Sequence, residues 1–164
     1  MIVHYSAAGF PDDDLAPGPT IVSTASLEAV CAWFPGMTLD SARLRFRASL
    51  EISGVPTESG QVPAFWEDRL FGADGASPVR FRIGDVLFEG SNPCARCVVP
   101  SREPSTGFVT PAFQRRFAER RQAALPHWAP AERFDHFYRM AVNTRVPASE
   151  RGKLLRLGDA VELM

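Results

Sequence analysis

Hydrophobic and polar residues alternate along much of this chain, a period that is typical of half-buried β-strands. Residues 43–52 place Leu44, Phe46 and Leu50 on one face and arginines on the other, which predicts a strand. Residues 79–83 and 86–89, joined by Gly84-Asp85, are predicted to form a β-hairpin. The predicted strands are residues 20–23, 43–52, 79–83, 86–89, 97–99, 137–146 and 154–163, the last with a turn at 158–159.

Two segments carry the signals of helices instead. The first is predicted over residues 27–34, with Ser26 or Thr24 as the N-cap and Pro35-Gly36 as its end. The second begins at Thr110 as the N-cap and runs to about residue 125, with Phe113 and Phe117 on its inner face. Residues 130–134 add a turn of helix. Many short strands with single helices predict a mainly β fold, a closed or nearly closed β-barrel with a few peripheral helices.

Length and composition predict one domain. The chain has 164 residues, 45% of them hydrophobic and 23% charged. The Pro-rich, acidic start predicts an N-terminal loop or arm over residues 1–19, followed by a single domain over residues 20–164. A net charge of -1 gives no reason to expect nucleic acid or a membrane surface as partner. The absence of a basic leader and of disulfide-type cysteine spacing predicts a cytoplasmic protein.

The segment that carries candidate chemistry is Cys94-Ala95-Arg96-Cys97, followed by the turn segment Glu103-Pro104-Ser105-Thr106-Gly107. It places soft sulfur ligands beside a permanently charged guanidinium. Three other interpretations stay open from the residues alone. The pair could be half of a zinc site, although the third cysteine and the three histidines lack its usual spacing. It could be a redox pair, or two buried core cysteines.

The order of several segments closely resembles the MOSC domain family, the molybdenum cofactor sulfurase C-terminal domain. Members typically show a C-x-R-C core followed by a D-P-x-T-G turn, similar to residues 94–97 and 103–107 here. Weaker similarities lie on both sides of that core. They are the T-A-S-L segment at 24–27, the R-F-R strand at 45–47, E-D at 67–68, I-G-D at 83–85 and the closing G-D-x-V at 158–161.

The resemblance implies a β-barrel of the MOSC or pyruvate kinase barrel type and a role for individual residues. In the amidoxime-reducing members the second cysteine ligates molybdenum, which assigns the metal and the catalytic role to Cys97. It assigns cofactor contacts to Arg47 and Arg96, and to Ser49 where the family has an asparagine. Further candidates for cofactor binding are Thr24, Ser26, Thr106 and Gly107. Glu67 and Asp68 would orient the arginines, and Cys94 takes the position that does not ligate the metal.

Several of these residues also have a purely structural interpretation. Thr24 and Ser26 can simply cap a helix, and Thr106-Gly107 can simply shape a turn. Glu67 and Asp68 can be a surface pair. The cluster Arg115, Arg116, Arg120 and Arg121 is more typical of a solvated helix face than of a docking patch for an electron donor.

The resemblance implies a molybdenum cofactor, a molybdenum bound to a pyranopterin, and an oxidoreductase that reduces N-hydroxylated compounds such as hydroxylamines or amidoximes. Electrons would come from a separate flavoprotein or iron-sulfur reductase. The alternative is a persulfide-based sulfur carrier or cofactor-handling module without its own redox turnover, and a third possibility is a barrel that has lost its ligand. Pyridoxal phosphate, which the family description mentions for fused desulfurases, is not expected on this chain.

Three departures from the family pattern bear on cofactor binding. Ala48 and Ser49 replace a proline and an asparagine, and Glu103 replaces an aspartate. Only residues 1–19 precede the matching segment, whereas the mitochondrial-type reductases carry an additional N-terminal domain that supplies basic residues. We therefore expect either a lower cofactor affinity or a homodimer in which a second copy contributes to the site.

Overall fold

One curled six-stranded sheet, with three helices packed against it, forms the framework of the protein. The computed structural model describes residue 13, residues 15–58 and residues 60–164. In chain order the elements are β1 (Ile21–Ser23), α1 (Thr24–Trp33), α2 (Leu39–Phe46), β2 (Leu50–Ile52), β3 (Val79–Ile83), β4 (Val86–Ala95), α3 (Phe113–Ala123), β5 (Arg139–Arg145) and β6 (Val161–Leu163). Short 3-10 helices at Trp66–Leu70, Val99–Ser101, Ala131–Arg133 and Ala148–Glu150 connect them.

The strand order across the sheet is β2-β1-β5-β4-β3-β6. All neighbouring strands are antiparallel except β1 and β2, which are parallel because α1 and α2 form the crossover between them. β3 and β4 form the predicted hairpin, with Ile83 opposite Val86. β4 and β5 share the longest pairing, with register irregularities between Gly90 and Asn92 and between Pro93 and Ala95. Those irregularities bend the sheet where the candidate chemistry lies.

The mainly β, β-barrel-like class with peripheral helices is confirmed, but the sheet is not a closed barrel: it is a curled half-barrel. In the described part of the chain β2 and β6 are its edges, and they do not pair with each other. Each is only three residues long, and a groove of about 460 Å³ lies between the segments 50–55 and 155–161. This groove separates the two edges, so the sheet stays open on that side.

Two apolar clusters lie on the sheet. One joins β1 to the three helices through aromatic side chains, including Phe46, Phe65, Phe113 and Phe117. The other lies under the 3-10 helix Trp66–Leu70 and contacts β3, β4 and β5. Burial of aromatic rings contributes most of the packing energy in cores of this kind. Phe113 and Phe117 lie on the inner face of α3, as predicted.

The predicted strand over residues 43–52 is wrong. α2 covers its first half, capped by Thr38, whose hydroxyl accepts a hydrogen bond from Ser41 N at 3.1 Å. The buried residues of α2 are Ala42, Arg45 and Phe46, a helical spacing, so the arginine lies inside and Leu44 is 62% exposed. Only β2 remains as strand.

Three other boundaries also differ from the prediction. Residues 97–99 are not a strand: β4 ends at Ala95, and a 3-10 helix follows at Val99–Ser101. α1 begins earlier than predicted, because Ser23 caps it by accepting from Ser26 N at 3.2 Å. Of residues 154–163 only β6 is strand.

α3 begins later than predicted, at Phe113, because the Thr110 hydroxyl lies 3.4 Å from Arg45 Nη1 and does not cap the helix. The expected arm partly lies outside the described residues, namely residues 1–12 and 14. In the described part of the chain, no helix combines the length and apolar character that crossing a membrane requires.

Candidate functional site

A cavity of about 270 Å³ opens where β4 leaves the sheet, and the Cys94–Cys97 segment lines it. The two cysteines have different surroundings. Cys94 is 4% exposed and belongs to the apolar cluster beneath the helices, whereas Cys97 is an exposed thiol on the loop after β4. The side chain that can reach a ligand is therefore that of Cys97.

Arg96 lies between the two cysteines and joins α2 to β4. Its Nη1 donates to Cys94 Sγ at 3.2 Å, and its Nη2 donates to the carbonyl oxygen of Phe46, the last residue of α2. Its backbone N donates to Tyr138 O at 3.2 Å. Arg96 Nε is buried and has no hydrogen-bond partner among the described residues. This guanidinium is thus held in place by contacts to both α2 and β4, and its Nε is enclosed within the protein.

Two more arginines line the same cavity. Arg47 follows α2 in the left-handed conformation, with φ of 47°, and its side chain is exposed. Arg139, at the start of β5, donates from Nη1 to Pro93 O at 2.6 Å and from Nη2 to Asp135 Oδ1 at 2.7 Å. The hydrogen bond from Arg139 lowers the pKa of Asp135.

The cavity also contains hydrogen-bond acceptors. Asn143 of β5 is 5% exposed, and its Nδ2 donates to Asp13 Oδ2 at 3.0 Å. Asp13 Oδ1 accepts from the backbone N of Leu15 at 2.9 Å and of Ala16 at 3.2 Å. Asn143 Oδ1 is buried and has no hydrogen-bond partner among the described residues.

The charged side chains that line the cavity are three guanidiniums and one carboxylate, so its field favours an anion. Guanidinium groups present planar forks of donors suited to phosphate or carboxylate oxygens. An exposed thiol in the same cavity offers a soft ligand to a transition metal or a nucleophile toward sulfur. The geometry therefore suits an anionic ligand that carries a soft centre.

Of the residues predicted for the site, the structure brings Arg47, Cys94, Arg96 and Cys97 to this cavity. Seven others lie elsewhere: Thr24, Ser26, Ser49, Glu67, Asp68, Thr106 and Gly107.

The outer polar residues of that set make local contacts. Thr24 Oγ1 donates to Glu51 Oε1 at 2.8 Å, and Ser49 N donates to Thr20 Oγ1 at 3.1 Å. Thr106 and Gly107 form an exposed turn in which Gly107 has φ of 74°, a conformation that favours glycine.

Ser26 and Glu67 belong to a buried polar cluster under the start of α1. Ser26 Oγ donates to Glu67 Oε2 at 2.8 Å and accepts from Phe65 N at 2.6 Å, and Ser23 Oγ lies 2.7 Å from it. Glu67 is 1% exposed, and its Oε1 has no hydrogen-bond partner in the described part of the chain. Burial, and then the charge of neighbouring Asp68, raises the pKa of Glu67 to about 7.

Asp68 and Arg121 form an ion pair inside the protein, at 3% and 1% exposure. The Arg121 guanidinium lies 3.7 Å from the ring centroid of Phe65 and 5.0 Å from that of Phe134, one ring from each apolar cluster. Burial raises the pKa of Asp68, and Arg121 opposes that shift. Arg121 is therefore not part of a solvated face; Arg115, Arg116 and Arg120 are exposed, as predicted.

Arg45 fixes the loop that follows Cys97. This buried side chain donates from Nη2 to Glu103 Oε2 at 2.5 Å and from Nη1 to Pro100 O at 2.9 Å. The glutamate that replaces the family's aspartate is thus the partner of the first arginine of Arg45-Phe46-Arg47. The second arginine of that segment, Arg47, is the one that faces the cavity.

Sequence reasoning missed Asp13, Asn92, Arg139 and Asn143 of the cavity lining. Arg139 and Asn143 lie in a segment that was predicted as a strand, on either side of the hydrophobic run Met140-Ala141-Val142, and this run favours a buried strand. Asn92 then follows from strand pairing, since it lies opposite Asn143. Nothing in the sequence around Asp13 indicated that this residue would line the cavity.

Within the described residues, no group of three or more histidine, cysteine, aspartate or glutamate side chains is arranged to hold a metal ion. A comparison with protein families finds that the model of the MOSC domain matches residues 20–162. No curated protein matches the chain.

Proposed function

Since this chain belongs to the MOSC domain family, whose domain is associated with the molybdenum cofactor, we propose that it binds this cofactor through Cys97 and reduces N-hydroxylated compounds. The observation that carries the proposal is the exposed thiol of Cys97 in one cavity with Arg47, Arg96 and Arg139. The residues fit the group: a thiolate is a preferred ligand of soft metals, and guanidiniums suit its phosphate.

Each arginine has a separate part in this proposal. Arg96 is fixed by Cys94 and Phe46, so it would present its positive charge to the anion without losing much side-chain entropy. Arg47 is exposed, and its side chain has no hydrogen bond or ion pair in the described part of the chain. Its guanidinium would therefore move toward a bound anion and pair with it. Arg139 is neutralised in part by Asp135 and would mainly shape the cavity.

The size of the cavity supports binding of one end of the cofactor. Its volume of about 270 Å³ lies below the roughly 300–1,000 Å³ of pockets that enclose a whole small molecule. The arginines would hold the anionic end beside Cys97, and the rest would extend toward solvent or a second copy of the chain. When bound, the molybdenum supplies two-electron redox chemistry and a site for the substrate oxygen. Electrons would come from a separate reductase.

Metal analysis of the wild type and of two cysteine variants tests the proposal. Protein made in a molybdenum-replete host should contain close to one molybdenum and one pterin per chain. Cys97→Ser should lose the metal, because a hydroxyl does not replace the thiolate. Cys31→Ser, which changes another cysteine outside the cavity, should keep it. Wild type without molybdenum, or an unchanged content in Cys97→Ser, would refute the proposal.

The exposure of Cys97 beside a guanidinium also favours a second candidate, a persulfide carrier. The Cys97 thiolate would attack the outer sulfur of a desulfurase persulfide, forming a new S–S bond as the donor's S–S bond breaks and the donor leaves as a thiolate. After incubation with a cysteine desulfurase, intact mass should show one extra sulfur atom that a reductant removes. Absence of that adduct on the wild type, or its persistence on Cys97→Ser, would exclude this candidate.

A further inference from the structure

The two open edges of the sheet face each other across the groove between the segments 50–55 and 155–161. Its volume is about 460 Å³, within the roughly 300–1,000 Å³ of pockets that enclose a small ligand. The groove shares no lining residue with the cavity that contains Cys97. It is therefore a separate candidate for a binding site.

The edge strand β6 directs backbone hydrogen-bonding groups into this groove. Gly84 N donates to Ala160 O at 3.0 Å, so these two residues are hydrogen-bonded to each other. Bonded and non-bonded pairs alternate along an antiparallel ladder, and the next pair is Ile83 with Val161. The N–H and C=O of Val161 therefore point away from β3, toward the open edge.

The edge strand β2 presents the same kind of groups from the opposite side. Leu50 N donates to Thr20 O at 2.9 Å, so Leu50 is bonded to the chain of β1. Alternate residues of a strand bond the same neighbour, so the N–H and C=O of Glu51 point away from β1. Free N–H and C=O groups at the edge of a sheet form a template for another strand. An extended segment in the groove can pair with both edges.

Apolar side chains form the floor of the groove. Ile52 and Ile83 are 8% and 7% exposed and belong to one of the two apolar clusters, and Val161 packs against the same cluster. Val55 and Leu157 lie on the rim and are exposed. A strand alternates its side chains between two faces, so every second residue of a bound segment would cover this floor if it were apolar.

The charges of the groove restrict the segment further. The Glu51 carboxylate accepts from Arg43 Nε at 2.8 Å, and Asp159 Oδ2 accepts from the backbone N of Arg156 at 2.7 Å. The Arg156 side chain is exposed and makes no hydrogen bond or ion pair with the residues that the structure describes. Charge complementarity therefore favours a carboxylate over an ammonium group beside Arg156.

We propose that the groove binds an extended segment of a partner protein as an added β-strand between β2 and β6. The segment has apolar side chains at alternate positions and a carboxylate beside Arg156. Main-chain hydrogen bonds then give affinity and the side chains give specificity, as in other cases of strand addition. The added strand closes the half-barrel that the chain alone leaves open. This inference does not depend on the proposed function, because it uses none of the residues around Cys97.

Labelled synthetic peptides and the full chain test the proposal. The probe is Glu-Val-Thr-Val-Thr-Val with a C-terminal fluorescein, which alternates apolar and polar residues and begins with a carboxylate side chain. One matched peptide has lysine in place of the glutamate, and another has N-methylated valines that cannot donate main-chain hydrogen bonds. Fluorescence anisotropy should show about fivefold tighter binding of the glutamate peptide than of the lysine peptide, the upper end of what an exposed ion pair contributes. The N-methylated peptide should not bind.

Variants of the two edges assign the binding to the groove. Arg156→Glu should reverse the preference in favour of the lysine peptide. Arg151→Glu, which changes an exposed arginine of the same segment outside the groove, should keep the wild-type preference.

Val161→Pro removes an N–H from the open edge and none from the ladder with β3. It should weaken binding of the glutamate peptide about fivefold, the loss of one hydrogen bond. Val161→Thr keeps the N–H and a β-branched side chain and should bind like the wild type. If Val161→Pro does not fold, Arg156→Glu still decides.

Failure of the glutamate peptide to bind at millimolar concentration would overturn the inference, as would equal binding of the N-methylated peptide. An unchanged preference in Arg156→Glu would also overturn it. Light scattering checks a different occupant of the edges. A dimer that the peptide does not dissociate would mean that a second copy of the chain covers them, and the proposal would fail.

Discussion

The buried carboxyl group of Glu67 should make the folding stability of the protein depend on pH. Its carboxyl group is fully buried and accepts a hydrogen bond from Ser26 Oγ, its Oε1 has no hydrogen-bond partner among the described residues, and its pKa is about 7 instead of 4.5. The folded protein therefore binds this proton more tightly than the unfolded chain does. By linkage, the stabilising contribution is fully present below about pH 4.5, decreases as the pH rises, and is lost above about pH 7.

The magnitude follows from the same two pKa values. A difference of one pKa unit corresponds to about 1.4 kcal/mol, so a rise from 4.5 to about 7 corresponds to about 3 kcal/mol in the free energy of unfolding. That is a large share of the roughly 5–15 kcal/mol that stabilises an ordinary domain.

Urea unfolding between roughly pH 5 and pH 9 measures this loss, and a variant assigns it. Glu67→Gln is isosteric and cannot ionise, so its stability should fall less steeply with pH than that of the wild type. Glu132→Gln, an exposed glutamate for comparison, should follow the wild-type curve. Parallel curves for the wild type and Glu67→Gln would refute the reasoning, because other groups would then account for the whole pH dependence.

Three further predictions follow from contacts in the core and the loop. Asp68→Ala should destabilise the protein by about 3–5 kcal/mol, because it leaves the Arg121 charge buried without its carboxylate. Gly90→Ala should lower the free energy of unfolding by about 1–3 kcal/mol or more, because its new Cβ would lie 1.5 Å from a backbone carbonyl oxygen. Gly75→Ala is its control and should be tolerated, because the new Cβ would meet no atom closer than 3.8 Å. Arg45→Met should speed proteolysis within residues 99–110, because it removes the contacts that hold this loop.

The first two of these are measured as shifts in the urea midpoint, and the third by following cleavage products with mass spectrometry. Wild-type midpoints in Asp68→Ala or Gly90→Ala would contradict the packing described for those positions. For the loop, Arg43→Met is the matched control, because its contacts are to Asp40 and Glu51 on the other side of α2. Equal cleavage rates of the two variants would mean that Arg45 does not fix the loop.

Helices and strands whose ends are set by neighbouring residues in the sequence could be predicted. The β3–β4 hairpin follows from alternation and a Gly-Asp turn, and the end of α1 follows from Pro35-Gly36. α2 could not be predicted in this way. Its alternating residues fit a strand only if Arg45 is solvent-exposed, yet that side chain is 4% exposed because Glu103, 58 residues away, pairs with it. A contact so distant in sequence has no signature in a local period.

The same distinction between local and distant causes applies to the residues of the candidate site. Cys94, Arg96 and Cys97 of the cysteine motif, and Arg47 of a separate segment, were visible as residues of unusual chemistry, and all four reach the cavity. Asn143 and Arg139 lay in a segment predicted correctly as a strand, but an asparagine in a strand is not unusual on its own. Asn143 lies opposite Asn92 because β5 pairs with β4, and its side chain also contacts Asp13, which is distant in the sequence.

The ends of three elements meet at this cavity, and Arg96 is the residue that holds them together. α2 ends at Phe46, whose carbonyl accepts from Arg96, so Arg47 leaves the helix beside the cavity. β4 ends at Ala95, and the backbone of Arg96 donates to Tyr138 just before β5 begins. Arg96 thus contacts the end of a helix, the end of one strand and the residue before the next strand, and its Nε has no hydrogen-bond partner among the residues that the structure describes. In the C-x-R-C motif the arginine therefore joins the end of α2 to the segments at the ends of β4 and β5 without any ligand, and it brings a fixed positive charge to the cavity wall.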